Sequence, residues 1–143
     1  MDLLEVLIGL AARLAAQRIG LRGNRALLRD CIAALSDHER RAQFFEFVRA
    51  RNAFYRALLE ISSSSELKRV LTSVQVNLIR VQSRTFETES RRKKTHLEDY
   101  RNIAAAVLAG DGRRAETVAR RHVRNVRDLL GRLPRQTYPA QFD

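Results

Sequence analysis

The stretch "RNAFYRALLE" at residues 51–60 sets Arg51 and Tyr55 one helical turn apart on a face that is otherwise apolar. Two later stripes are interrupted in the same way. Tyr100 stands among Leu97, Ile103, Ala104 and Val107, and His122 among Ala115, Val118, Ala119, Val126 and Leu129. A guanidinium holds a carboxylate or phosphate in a two-pronged fork, while phenols and an imidazole orient the rest of a guest. If these faces share one interior, the side chains converge on a cavity between helices that calls for an anionic guest. Arg80 and Gln82 in "LIRVQ" are secondary candidates for lining it.

Each residue also has a plainer reading. A core tyrosine often reaches a partner or the surface with its hydroxyl, and a buried histidine is commonly just hydrogen-bonded. Arg51 could pair with an internal carboxylate such as Asp99, or its stem could carry the charge to water. Arg51 is the hardest to explain this way, because removing the partner of a buried charge costs on the order of 3–5 kcal/mol. The sequence contains no carboxylate pair set for acid–base work, no nucleophile beside a base and no phosphate loop, so it does not read as an enzyme.

Helices must position these groups. With six Gly, two Pro and no Trp in 143 residues, breakers are scarce. A hydroxyl residue followed three positions later by Glu marks helix starts at Ser36, Ser63 and Thr95, since the two side chains satisfy each other's free backbone N–H groups. Asp2, Asn24 and Asp111 are further N-cap candidates. The resulting expectation is six helices, at 3–19, 25–35, 37–61, 64–86, 95–109 and 112–133. Short links such as "GLRGN", "SSSS" and "AGD" favour antiparallel neighbours, so the fold class is an all-α antiparallel bundle. Residues 1–133 form the expected domain and 134–143 a C-terminal tail.

A net charge of +11 admits nucleic acid, an anionic surface or acidic small molecules as partners. The basic run "GRRAETVARRHVRNVR" offers Arg113, Arg114, Arg120, Arg121, Arg124 and Arg127 as a stripe on the sixth helix, the basis of an alternative reading as a helical nucleic-acid binder. Such a stripe is more often a solvated face, and the aromatic residues of a single-strand binder are not interleaved with it. Cys31 is the only cysteine, which excludes an internal disulfide and a thiolate metal cluster and fits a cytoplasmic setting. The apolar start "MDLLEVLIGLAARLAA" has Asp2 and Glu5 where a signal peptide would be basic, and no stretch reads as a membrane span.

Taken in order, "LLEVLIGLAARLAAQR", "RNAFYRALLEISSSSEL", "LIRVQ", "EDYRNIAAAVLAGD" and "AETVARRHV" resemble the FCD domain, the effector-binding and dimerisation domain of GntR-family bacterial transcription regulators. The similarity spans about residues 2–133. It implies a homodimer, a small carboxylate-type effector in a central cavity, and DNA contact only through a winged helix-turn-helix that this chain does not show. Many members hold a divalent metal with an Asp and a His in a D-x-x-F-H motif and two further His. Here Arg51 stands at the Asp position, Tyr55 and Tyr100 at two His positions, and only His122 matches. The resemblance therefore implies the fold and the cavity without the metal, with Arg51 as the anchor of an acidic effector. The alternative within this family is a dimerisation scaffold whose pocket is plugged by its own side chains.

Overall fold

In the computed structural model, residues 2–73 and 93–131 are described, and among them are six helices and no strand. They are α1 (Asp2–Arg18), α2 (Asn24–Arg40), α3 (Phe44–Ser62), α4 (65–73), α5 (Lys93–Leu108) and α6 (Gly112–Gly131). α1 lies against α6, α3 and α5, α2 against α3 and α5, and α5 against α6. The described residues thus form an all-α bundle of six helices, as the apolar periodicity indicates. Arg80, Gln82 and the expected tail at 134–143 lie outside the described residues.

The contact surfaces of α1 are built from small residues. Ala11, Ala12, Ala15 and Ala16 are buried beside Leu4, Ile8 and Ile19, and Ala115 and Ala119 of α6 are fully covered. Small side chains let helix axes approach, and Gly9 takes this furthest: a Cβ there would sit 2.6 Å from Arg120 Cγ. Around this layer Leu28 and Leu35 of α2, Phe47, Phe54 and Leu58 of α3, and Ile103 and Val107 of α5 complete the core. Each such large apolar side chain contributes about 1.5–3 kcal/mol by leaving water.

The helix boundaries differ from the capping signals in instructive ways. Ser36 does not open a helix, because α2 runs on to Arg40 and the break falls at 41–43. There Ala42 adopts a left-handed φ of 55°, its N–H donates to Glu39 O, and Gln43 N–H donates to His38 O. These paired bonds close the helix as a Schellman motif, a role usually given to glycine. Ser36 instead accepts from Arg101 Nη2 at 3.3 Å, tying α2 to α5. At the next junction Ser63 has φ 57° and ends α3, while Ser64 Oγ accepts from Leu67 N–H to start α4. The cap is one residue later than expected. Asn24 is already helical, with Gly23 before it, and its amide closes α1 by donating to Arg18 O at 2.7 Å. Thr95 lies inside α5, which begins at Lys93. Asp111 is an N-cap as expected, accepting from Arg114 N–H, after a turn in which Gly110 has φ 72°.

Candidate functional site

The three polar interruptions meet at one place. Tyr55 of α3, Tyr100 of α5 and His122 of α6 are buried, and Tyr55 Oη lies 2.9 Å from His122 Nε2. The other ring nitrogen, Nδ1, lies 3.0 Å from Asp99 Oδ2 of α5. A carboxylate only accepts, so Nδ1–H donates to Asp99. In the neutral imidazole Nε2 is then the acceptor, and the Tyr55 hydroxyl donates its hydrogen bond to it. The order Tyr55, His122, Asp99 thus forms one directed relay through three helices.

Aromatic packing fixes the relay in place. Tyr55 and Tyr100 meet edge to face with centroids 5.9 Å apart, Phe54 contacts Tyr100 at 5.4 Å, and the His122 ring lies 4.8 Å from that of Tyr100. Burial, and then the neighbouring Tyr100, hold the Tyr55 hydroxyl well above the ordinary phenol value of 10.0 against the opposing pull of the Arg51 charge. Burial raises Tyr100 as well, against Arg51 and Tyr55, which pull it down. Both phenols are therefore neutral donors and acceptors near pH 7.

Arg51 stands out among the buried polar groups. It is only 2% exposed, and among the described residues its Nε and Nη2 atoms are buried with no hydrogen-bond partner. The carboxylate of Asp99, one possible partner for it, lies against His122. An unsatisfied buried donor costs about 1–3 kcal/mol, and more when it is charged. The one other buried side-chain atom in this condition among the described residues is Oδ1 of Asn52, the next residue on α3.

A divalent cation does not suit these donors. Among the described residues no group of three or more His, Cys, Asp or Glu stands close enough to hold one. The phenols keep their protons, and the Arg51 charge would repel a cation.

The family comparison agrees with this architecture. The family model described as FCD domain matches residues 1–125. The chain belongs to the FCD domain family. FCD domains are the effector-binding domains of GntR-type regulators and are regulatory, non-catalytic ligand-binding modules, so this FCD domain is not an enzyme. No curated protein matches the sequence. No helix among the described residues is long and apolar enough to cross a membrane.

Of the residues singled out from sequence, Tyr55, Tyr100 and His122 come together, with Arg51 one turn from Tyr55 on the same helix and its charge acting on both phenols. Of the two plain readings that the sequence left open for Arg51, a pairing with Asp99 is not seen, since that carboxylate meets His122, and Asn52 was not singled out. The position of Asp99 beside Tyr100 in "EDYR" was the available signal for a carboxylate near the His122 ring. The arginine stripe of α6 is partly engaged within the fold. Glu5 of α1, 7% exposed, faces Arg120 Nε at 3.2 Å and the guanidinium groups of Arg124 and Arg127 at 3.7 Å. Arg113, Arg114 and Arg121 are exposed.

Proposed function

We propose that this FCD domain is the effector-sensing and dimerisation module of a GntR-type transcription regulator, and that it holds a small acidic metabolite against Arg51 without a metal ion. The observation that carries this reading is the pair of buried, unpartnered guanidinium nitrogens, which match the two oxygens of a carboxylate in number and charge. Tyr55, Tyr100 and His122 border the same region. The regulator works in the cytoplasm and reaches DNA through a winged helix-turn-helix rather than through this domain.

Dimerisation is assigned to α1. Leu3, Val6 and Leu10 recur at helical spacing on its outer face and are 61%, 48% and 38% exposed. A second copy covers this stripe, and the effector acts by favouring one of two dimer arrangements through its differential affinity for them.

The test is calorimetric titration and thermal shift with a panel of small carboxylates on the domain and on Arg51→Met. A ligand that binds only the native state must stabilise it, so the right acid raises the melting temperature of the parent and not of the variant. Equal binding by Arg51→Met removes Arg51 as the anchor. A dimer that answers no acid favours the scaffold whose interior is filled by its own aromatic rings.

A further inference from the structure

Two turns meet at the end of the bundle where α1 finishes and α6 begins. Leu21 N–H donates to Arg18 O and Asn24 N–H to Leu21 O, and Gly23 at φ 67° lets the chain turn into α2. The turn between α5 and α6 stands beside it. Arg25 Nη1 donates to Leu108 O at 2.8 Å, and a Cβ on Gly112 would lie 3.3 Å from Arg13 O. Arg18, Arg22, Arg25, Arg113 and Arg114 are thereby gathered at one end, and among the described residues none of the five forms an ion pair. The acidic residues of these segments are Asp111 and Glu116, and both are engaged. Asp111 caps α6 by accepting from Arg114 N–H at 3.1 Å, and Glu116 meets Arg13 at 3.3 Å. Leu21 and Leu27 stand in the same segments and are 60% and 41% exposed.

Guanidinium groups without acids, set around exposed leucines, select the chemistry of a partner. The phosphate backbone of a nucleic acid would pair with the arginines and leave the leucines uncovered. A bilayer surface takes up a broad apolar helix face, which two leucines beside a turn do not supply. A second copy docked through this end would set the same arginines against each other. A protein segment that interleaves carboxylates with apolar side chains meets both features, its carboxylates taking the guanidinium forks and its apolar groups covering the leucines. We propose that this end of the bundle docks such an acidic, apolar-bearing segment of another protein, with Arg22, Arg113 and Arg114 as charged contacts and Leu21 and Leu27 as the apolar floor. The turns that carry them are closed by backbone hydrogen bonds, so the surface is ordered before the partner arrives.

The probe is a fluorescent peptide of about twelve residues in which Asp and Glu are interspersed with Leu and Phe. Its anisotropy on the full chain is compared with that of a peptide carrying Ser at every apolar position, of a random-sequence DNA duplex and of phosphatidylserine vesicles. The apolar-bearing peptide binds about ten-fold or more tightly than its Ser counterpart, and more tightly than duplex or vesicle at near-physiological salt. Leu21→Ser, at an exposed position, removes most of that preference. Arg22→Glu and Arg114→Glu each weaken the peptide by about five-fold, with circular dichroism checking that each variant is folded. Arg121→Glu makes the same charge change about two turns beyond Arg114 on α6 and leaves binding within about two-fold. Failure of both peptides to bind, equal binding of the two, or tighter binding of the duplex or the vesicles overturns the assignment. A loss in Arg121→Glu equal to that in Arg114→Glu also overturns it, since binding would then follow net charge alone. A change in the oligomeric state of the peptide-free chain on Leu21→Ser would give this end to a second copy and overturn it as well.

Discussion

Arg51 separates a residue kept for stability from one kept for a guest. A buried charge with unmet donors is a liability in the empty protein, and replacing such a group by an apolar side chain of similar length is often neutral or stabilising by about 1–4 kcal/mol. Arg51→Met is therefore expected to leave the ligand-free domain as stable as the parent or more so, measured by urea unfolding, while losing acid binding. A loss of several kcal/mol would mean that Arg51 supports the fold. The tyrosines make a pH prediction. Their hydroxyls are raised above 10.0 in the folded domain, so the native state keeps these protons where the unfolded chain releases them. Their contribution is fully present below pH 10 and is lost as pH rises beyond it. Unfolding free energy should fall above pH 10, less steeply in Tyr55→Phe than in the parent. The site was legible in sequence to the extent that Arg, Tyr and His stood on apolar stripes. Asp99 and Asn52 lie at the edges of their stripes, where periodicity does not distinguish an inward polar atom from a solvated one.

At the scale of the element, the helices were readable and several of their ends were not. Apolar periodicity reports which face is buried and says little about where a helix stops. The pattern of Ser36 and Glu39 looks like a start, yet the preceding turns are already helical, and the chain ends α2 by placing Ala42 in the left-handed region. An alanine gives no sequence signal for that turn, whereas Gly110 does for the turn before α6. The same fact yields a test. A Cβ in the left-handed region costs roughly 1–2 kcal/mol, partly offset by the greater freedom that glycine gives the unfolded chain. Ala42→Gly should stabilise the domain by about 0.5–1 kcal/mol in urea unfolding, without altering ligand affinity. A loss of stability would mean that the Schellman closure at 41–43 does not hold in solution.

At the scale of the whole molecule, a packed interior adjoins an exposed apolar stripe on α1. Glu5 draws Arg120, Arg124 and Arg127 onto the seam between α1 and α6, so α1 is firmly seated on its inner side while Leu3, Val6 and Leu10 point outward. The firm seat makes α1 a rigid surface, and a rigid apolar stripe is what a second copy can cover without ordering new chain. With a net charge of +11 on each chain, the proposed association would rest on apolar contact rather than on overall charge. Val6→Glu puts a carboxylate at the middle of the stripe, and desolvating it without a partner should weaken the dimer by at least ~100-fold in sedimentation equilibrium, with the monomer still helical. A dimer unchanged by Val6→Glu would place the interface on another face. Coupling can be read in the same cell. If the effector selects one dimer arrangement, saturating acid must shift the association constant of the parent, because linkage is reciprocal. An acid that binds at Arg51 and leaves that constant untouched would mean that its binding is not coupled to dimerisation, and that it does not select a dimer arrangement.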